Sequence, residues 1–265
     1  MRNTRCGIVH GARTMRKSLF VSLASVALVA LAISVPAYAN LVVNGGFEST
    51  TSGPDLQLGY NTNETGWTVP DPHSGGSYFF VYAPGDADAT GALGQYGIVE
   101  LWGPGDGSAN GLPPASPAGG NFVAADGAFQ PGAISQTISG LTLGANYTVS
   151  FWWAAAQENT RTGASQTQWL VSFGSSTQST PFASITSEGF SGWMSQSFTF
   201  KADGGSDVLS FLANGTPAGV PPFALLDGVT VTQNTTPEPS TLMLMGTGMV
   251  GVFGLGRRYY SRKRG

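Results

Sequence analysis

Alternation of side chains with a period of two limits the middle of this chain to β structure. Between Asn146 and Ala154 every second residue is aromatic or Val, so a strand there has one strongly apolar face. The same period appears in the stretches 168–173, 197–201, 208–211 and 225–231. No window of similar length outside the two ends shows a helical period. We therefore predict an all-β domain, folded as a single antiparallel β-sandwich or jelly roll.

The remaining strands are predicted from weaker patterns. We expect a strand near Tyr96–Trp102 inside a long stretch of loops, and at most one between residues 49 and 77, at Gly66–Val69. In the last strand we expect four residues to share one inward face: Leu225, Asp227, Val229 and Val231.

Positive charge is concentrated at the two ends of the chain. Ten of the twelve Lys and Arg residues lie there, and only Arg161 and Lys201 fall between residues 40 and 236. Because positive charge is retained on the cytoplasmic side of a membrane, the middle is predicted to be exported while both ends face inward.

The front of the chain has the pattern of a secretory signal peptide. We predict a signal helix within residues 1–39, with cleavage after the small residues Ala37 and Ala39. Translation from Met15 would give this signal a more compact start. A membrane anchor that is not cleaved is the alternative to a signal peptide. The single cysteine, Cys6, precedes this site, so the exported part is predicted to have neither a disulfide framework nor a thiolate site.

The back of the chain combines a proline-rich linker, an apolar run and a basic end. The linker is residues 233–239, and the apolar run with its basic end is 240–265. Seventeen apolar residues span roughly 25 Å as a helix, which is barely the thickness of a bilayer core. A transmembrane helix that anchors the chain only transiently is therefore expected here, and a plain membrane anchor is the alternative.

This tail resembles the PEP-CTERM sorting domain of Gram-negative bacteria. The resemblance rests on Pro237-Glu238-Pro239, the apolar segment and the arginines that include Arg257 and Arg258. It implies processing by exosortase, a membrane enzyme, in strains that make exopolysaccharide. Glu238 is then a recognition contact, the prolines keep the backbone extended, and the arginines act as a topological stop. The implied destination is the outer surface or the exterior of the cell.

Residues 40–232 resemble galactose-binding-like β-sandwich domains, a group that includes several carbohydrate-binding modules. The resemblance rests on short segments at Asn40–Glu48, Gly66-Trp67, Gly120–Gly127, Ile134–Leu141 and Leu225–Val231. In that group a calcium ion often ties the first strand to the last, which implies Glu48 and Asp227 as ligands. Gly228 departs from the Asp or Asn that often follows the aspartate.

The acidic residues have a second interpretation. Calcium requires six to eight oxygen ligands, so backbone carbonyls near 44–46 and 121–126 would have to help Glu48 and Asp227. Alternatively, the two carboxylates cap turns or accept backbone hydrogen bonds.

The loop acids are expected to be solvated turn residues, because their spacing matches no complete calcium motif: Asp86, Asp88, Asp106 and Asp126.

The tryptophans separate into core and surface candidates. Trp153, Trp169 and Trp193 are expected in the core. Trp152 points away from the apolar face of its strand, and Trp67 and Trp102 lie near loops. Because proteins stack aromatic rings on the apolar faces of sugars, these three are candidate ligand contacts, with core or rim packing as the alternative: Trp67, Trp102 and Trp152.

Catalysis and nucleic-acid binding find little support. His73 is the only histidine after the predicted signal, and no nucleophile, zinc or phosphate-binding motif is present. Paired acids among Glu100, Asp126 and Glu158 are the only basis for a glycosidase. An acidic, lysine-poor domain would repel phosphate.

The predicted function is therefore that of an exported, non-enzymatic protein. We expect its sandwich to bind carbohydrate, with calcium as a structural ion, on the cell surface or in an exopolysaccharide matrix. A passive scaffold in a biofilm without glycan binding is the alternative, and a glycoside hydrolase is a weaker one.

Overall fold

The computed structural model describes residues 39–234 together with Gly248. The chain divides into two compact units, Met1–Ala39 and Asn40–Gly265, and the fold below is that of the second. Within the described residues no helix is both long and apolar enough to span a bilayer. Several expected features lie outside the described residues: both terminal helices, Ala37, Pro237, Glu238, Pro239, Arg257 and Arg258.

Thirteen strands and two short 3₁₀ helices form the described fold. The helices, Pro72–Ser74 and Pro104–Asp106, each begin with proline, whose fixed φ suits a first helical position. The strands are β1 Leu56–Gln57, β2 Phe79–Tyr82, β3 Ala92–Gly94, β4 Gly97–Val99, β5 Phe122–Asp126, β6 Ala133–Ser139, β7 Asn146–Gln157, β8 Ser165–Phe173, β9 Ser176–Ser179, β10 Ala183–Ile185, β11 Met194–Lys201, β12 Ser206–Thr216 and β13 Pro222–Gln233.

The strands form two sheets. The larger sheet has eight strands in the order β11-β7-β13-β5-β2-β1-β3-β4. The smaller has the order β10-β8-β12-β6, and β9 pairs with β8. Every pair of strands is antiparallel except β1 with β3. The predicted all-β, antiparallel sandwich is confirmed.

The main core lies between the two sheets. It is built from the alternating residues that define the strands, including the inward face of β7. Trp153 and Trp169 are both buried in it, as expected. The indole of Trp169 donates a hydrogen bond to the carbonyl oxygen of Leu225 at 3.0 Å, which satisfies the one polar atom of this ring.

A second apolar layer covers the opposite face of the larger sheet. Side chains from β2, β5, β7 and β13 pack there against Ala87, Val99, Leu101 and Leu112 of the loop-rich segment 83–118. Trp193 packs on this layer, half-buried, with its ring 5.6 Å from that of Phe122. Both faces of the sheet are therefore apolar, which is why β2 and β5 are buried at every position.

The single inward face predicted for β13 is wrong in its first half, because Leu225 faces the outer layer while Val229 and Val231 lie in the main core. A bulge between Asp227 and Thr230 shifts the register with β7. The bulge requires a left-handed backbone at Gly228, where φ is +60°, a conformation that glycine adopts without strain.

Two other predicted strands are shorter than expected. Gly66–Val69 contributes only a single bridge, between Thr68 and Ser135. The stretch Tyr96–Trp102 contributes β4 and a bridge from Leu101 to Glu158. Glycine and proline in both regions favour turns over continuous ladders.

The two ends of β13 lie at opposite ends of the sandwich. At its start, Phe223 pairs with Asp126 at the end of β5. At its finish, the amide of Val231 donates to Asn40 Oδ1 at 2.9 Å and the amide of Asn234 donates to the carbonyl of Asn146 at 2.8 Å. Both ends of the described domain therefore leave it at the same pole.

Candidate functional site

A cleft opens at the pole where β13 begins and where β5 and β7 end. Its volume is about 420 Å³, inside the range of about 300–1,000 Å³ that small-molecule sites occupy. Asp126 ends β5, Glu158 follows β7, and Phe223 lies at the start of β13. Loop residues supply the remaining walls, so strands position the floor and loops form the rim.

Three aromatic rings form the apolar part of the cleft. The ring of Tyr78 lies 5.1 Å from that of Phe129 and 6.1 Å from that of Tyr96, and the last two are 5.8 Å apart. Tyr78 is buried beneath the other two, whereas Phe129 is 42% and Tyr96 64% exposed. The two exposed rings therefore form an apolar platform, because they pack on the buried ring of Tyr78.

The floor of the cleft carries a buried carboxylate. Burial raises the pKa of Asp126 to about 6, and nearby Glu158 adds to this, although two backbone hydrogen bonds oppose it. These bonds come from the amides of Ala128 and Phe129 to Asp126 Oδ1, at 2.8 and 3.1 Å. Asp126 is thus a turn residue, as predicted, but it is buried and not solvated.

The rim opposite the aromatic rings is formed by residues 158–161. The hydroxyl of Thr160 donates to Glu158 Oε2 at 2.6 Å. The guanidinium of Arg161 donates to the carbonyl of Thr160 at 3.3 Å, and no ion pair in the described part of the chain involves Arg161. The indole of Trp102 donates to the carbonyl of Arg161 at 2.8 Å and fixes this segment from behind.

This arrangement can bind a molecule that has both apolar faces and hydroxyl groups. The rings offer flat apolar area, and burial keeps Tyr78 a neutral phenol by raising its pKa to about 12. The carboxylate of Glu158 accepts hydrogen bonds, and the Arg161 guanidinium donates them. These are the contacts that a pyranose ring uses.

The three candidate tryptophans do not meet at one site. Trp67 is 6% exposed in the main core, where its ring lies 5.4 Å from Phe47 and its indole donates to the carbonyl of Asn44. Its assignment as a ligand contact is therefore wrong: the loop around it folds inward. Trp152 lies half-buried on the outer face of the larger sheet, beside Gly228. Trp102 supports the cleft but does not line it.

The aromatic residues of the cleft carry no clear signal in the sequence. Tyr78, Tyr96 and Phe129 lie in three separate segments that show no alternation and contain no tryptophan. The one hint in the sequence is that two large aromatic residues occur in glycine-rich turns, in the pairs Gln-Tyr at 95–96 and Phe-Gln at 129–130. Only the tertiary structure brings these segments together.

A second site brings Glu48 close to Asp227, as the calcium hypothesis requires. A Cβ atom on Gly46 would lie 3.8 Å from both Glu48 Oε1 and Asp227 Oδ1. Asp227 is fully buried, where its carboxylate accepts from the Ser116 hydroxyl and, at 2.6 Å, from the amide of Gly228. Glu48 Oε1 accepts from the amide of Asn121 at 2.9 Å. The site joins the first segment of the sandwich to β5 and β13.

The backbone around this site approaches β13 very closely. A Cβ on Gly45 would lie 2.0 Å from the carbonyl oxygen of Val229, so only glycine fits there. The amide of Val229 in turn donates to the carbonyl of Gly45 at 2.8 Å. Asn44 and Phe47 both have positive φ, at 52° and 57°. This tightly turned loop directs Glu48 toward Asp227.

The acids of this site have no compensating positive charge. Burial raises the pKa of Asp227 to about 7 and that of Glu64 to about 8, and Glu48 adds to both. Glu64 is 4% exposed, and its Oε1 has no hydrogen-bond partner among the residues that the structure describes. The only ion pair in the described part of the chain joins His73 to Asp71. Asp227 and Glu64 do accept hydrogen bonds, Glu64 Oε2 from the side chain of Asn44 at 2.8 Å, but a buried carboxylate that is charged and has no cation beside it still costs several kcal/mol.

These observations fit a calcium ion. The donors are all oxygen atoms, which calcium prefers, and a cation would neutralise the buried carboxylates. The described residues contain no group of three or more His, Cys, Asp or Glu side chains placed to hold a metal. Backbone carbonyls and hydroxyls would therefore complete the ligand set around Glu48 and Asp227.

The other loop acids make local contacts of different kinds, and within the described residues Asp106 Oδ2 is buried without a hydrogen-bond partner. Asp88 Oδ2 accepts from the amide of Gly105 at 2.8 Å, and the Asp86 carbonyl accepts from the amide of Gly91 at 2.7 Å. Asp106 Oδ1 accepts from the side chain of Asn159 at 3.4 Å, which also donates to Glu100. Asp86 and Asp88 lie in a turn, as predicted, and Asp106 ends a 3₁₀ helix, but all three are half-buried and not fully solvated.

The fold and the cleft together define a β-sandwich with an aromatic cleft at one pole. Residues 97–231, about half of the chain, match the family model described as Protein of unknown function (DUF642). The chain belongs to this family. No curated protein matches it.

Several solved structures resemble the sandwich. The tandem CBM22 domain of Xyn10C from Paenibacillus barcinonensis is 15% identical, with a TM-score of 0.40 over 78% of this chain and 48% of that one. TmCBM61, solved with β-1,4-galactotriose, is 18% identical, with a TM-score of 0.36 over 74% of this chain and 99% of that one. At such scores these similarities say nothing about what this chain binds.

The sorting signal predicted in the tail is confirmed. Residues 235–258 match the PEP-CTERM protein-sorting motif. The chain is therefore a sorted, exported protein. The match contains Pro237, Glu238, Pro239, Arg257 and Arg258, whose individual roles stay predictions.

Proposed function

We propose that the sandwich binds neutral polysaccharide in the cleft of Tyr78, Tyr96 and Phe129. The observation that carries this proposal is the platform of two exposed rings supported by a buried third. Stacking on the apolar face of a sugar buries large area at small entropic cost, because a tyrosine ring has few rotatable bonds.

The charges of the cleft favour an uncharged glycan. Asp126 and Glu158 both line it, against the single guanidinium of Arg161. A uronate or sulfate group would meet more negative than positive charge, whereas sugar hydroxyls can donate to Glu158 and accept from Arg161.

The same residues support binding without catalysis. Asp126 Oδ1 is committed to two backbone amides, and Glu158 Oε2 accepts from Thr160. A glycosidase needs two carboxylates free to exchange a proton and to attack or activate water across the bond. We therefore infer that these acids stabilise the cleft and its hydrogen bonds to ligand.

We further propose where the protein acts. An exosortase-type enzyme processes the tail while it holds the chain at the inner membrane, and the sandwich then works on the outer surface or in an exopolysaccharide matrix. The support for this context is the sorting motif at residues 235–258.

Calcium is proposed as a structural ion at Glu48 and Asp227. The support is the convergence of their oxygen atoms beside Gly46 and the buried, unpartnered oxygen of Glu64. When bound, the ion would neutralise these carboxylates and join the first segment of the sandwich to β13.

The binding proposal is tested by affinity electrophoresis of the full-length chain in detergent. The gels contain β-1,4-galactan, xylan, galactomannan or mixed-linkage β-glucan, with polygalacturonate as the anionic probe. We expect retardation by at least one neutral polymer, none by polygalacturonate, and loss of retardation in Tyr96→Ala.

The matched control is Tyr60→Ala, because Tyr60 is also an exposed tyrosine beside another ring, with its centroid 5.2 Å from that of His73, and it lies outside the cleft. Equal loss in both variants would contradict a role for the cleft. A chain that no polymer retards would leave the passive scaffold as the better function.

A further inference from the structure

Tyr96 is held by a relay of glutamine side chains. The side chain of Gln130 donates from Nε2 to the Tyr96 hydroxyl at 3.1 Å and accepts at Oε1 from Gln95 Nε2, also at 3.1 Å. The backbone amide of Gln95 donates to Oε1 of Gln57 at 2.8 Å, and Gln57 is fully buried. The relay therefore connects the most exposed ring of the cleft to the interior.

Gln130 makes these contacts from a strained backbone. Its φ is +47°, in the left-handed region that residues with a Cβ adopt at a cost. Glycine would remove the strain but would also remove the side chain. Strain that persists at one residue beside a cleft indicates a use for that residue.

The loop that carries Gln130 is itself fixed. Asp126 accepts from the amides of Ala128 and Phe129, as described above. Gly132 lies against Gly76, since a Cβ on it would be 2.0 Å from the Gly76 carbonyl oxygen. One rigid loop therefore presents Phe129 as a platform and Gln130 as a support.

We propose that Gln130 is a positioning residue that fixes Tyr96 for stacking against a sugar ring. The inference rests on the proposed glycan binding and specifies how the site obtains its affinity. The side-chain amide of Gln130 donates a hydrogen bond to the Tyr96 hydroxyl. Because that hydroxyl is already engaged, the ring offers mainly its apolar face to the ligand. Fixing an exposed side chain before binding lowers the entropy lost on association.

The test is a double-mutant cycle of Gln130→Gly and Tyr96→Phe in the full-length chain. Affinity is measured on soluble xylan, β-1,4-galactan, galactomannan and mixed-linkage β-glucan. Each single change is expected to weaken binding about three- to tenfold, which is the range for freeing one side chain. The double change is expected to weaken it no further, because both remove the same hydrogen bond.

Stability separates positioning from a folding role. Gln130→Gly is expected to keep or raise the melting temperature, because glycine relieves the positive φ. The control is Glu188→Gly: Glu188 has φ +60° and no side-chain contact with the cleft. It should behave likewise in melting and leave affinity unchanged. Additive losses in the cycle, or a clearly lower melting temperature for Gln130→Gly, would overturn the proposal.

A measurement without ligand keeps the inference distinct from the proposed function. In protein labelled with 3-fluorotyrosine, the ¹⁹F resonance lost in Tyr96→Phe belongs to Tyr96. Gln130→Gly should move it toward the position of free fluorotyrosine, because the ring leaves the neighbouring rings of Tyr78 and Phe129. An unmoved resonance would refute the positioning role, whereas failure of all four polymers to bind would refute the glycan function.

Discussion

The indole Nε1 of Trp102 donates a hydrogen bond to the backbone carbonyl of Arg161 at 2.8 Å. Of the two roles that the sequence leaves open for Trp102, ligand contact or packing, the structure favours packing: Trp102 lies behind the cleft and holds the segment that forms its rim. Its partner, Arg161, is one of only two cationic residues between residues 40 and 236. The rim is therefore held by a tryptophan that does not line the cleft.

Trp102→Phe should loosen the rim without emptying the space behind it. The lost hydrogen bond is worth about 1 kcal/mol, so we expect glycan binding to weaken about two- to fivefold and the melting temperature to fall by a few degrees. Trp193→Phe is the control, because Trp193 is also half-buried but its indole N–H has no partner. Equal effects of the two changes on affinity would show that the hydrogen bond to Arg161 is unimportant.

Trp152→Ala should not affect binding in the cleft. Trp152 lies five residues before the end of β7, roughly 17 Å from the cleft at about 3.3 Å per residue. We expect unchanged retardation in affinity gels and a lower melting temperature, because its ring packs beside Gly228. Loss of binding with normal melting would instead place the ligand on this face of the sheet.

Removal of calcium should destabilise the chain. A ligand that binds only the native state raises its stability, by about 2.7 kcal/mol at a hundredfold excess over Kd. We expect a melting temperature several degrees higher in calcium than in EDTA, and no such difference in Asp227→Asn. Glu188→Gln is the control and should keep the response. Identical melting of the unmodified chain in calcium and in EDTA would remove the ion from this site.

The stability of the domain should depend on the charge of Asp126. Because its folded pKa is raised to about 6, the folded state holds the proton more tightly than the unfolded state, whose pKa is near 3.9. Stability from this residue is therefore largest below about pH 4 and is lost as the pH rises through 6. The charged groups that share its cleft are Glu158 and Arg161.

Asp126→Asn removes this dependence and keeps the oxygen that accepts from Ala128 and Phe129. Its unfolding free energy relative to the unmodified chain should rise between pH 4.5 and 8, by about 2 kcal/mol for the roughly 1.5 pH units between 4.5 and the folded pKa of about 6. All samples contain excess calcium, so that the state of the site at Glu48 and Asp227 is the same at every pH. A difference that stays flat over this range would contradict the raised pKa.

The sandwich could be predicted from the sequence because alternation directly records which face is buried. The strand from Asn146, predicted to Ala154, runs to Gln157, and Trp153 and Trp169 lie where the pattern placed them. The prediction failed where a local event broke the period: the bulge at Gly228 places Leu225 on the face opposite to that of Val229 and Val231. It also failed for Trp67, because proximity to a turn does not indicate whether the turn folds inward.

The cleft could not be predicted because none of its walls is a local feature. Tyr78, Tyr96, Phe129 and Arg161 are neighbours only because β2, β5, β7 and β13 lie side by side. By contrast, the pairing of Glu48 with Asp227 was found through resemblance to a group of sandwiches in which the first and last segments meet. Long-range contacts were predictable only where a family pattern supplied them.

One length follows from the geometry of β13. Phe223 borders the cleft, and Gln233 is ten residues later at the other pole, a distance of roughly 33 Å at about 3.3 Å per residue. A tether joined at Asn234 would thus attach the sandwich at the end opposite the cleft, and the cleft would face away from the surface. Cleavage of that tether would leave the cleft unchanged, so the attached and the released protein should have equal affinity for a glycan.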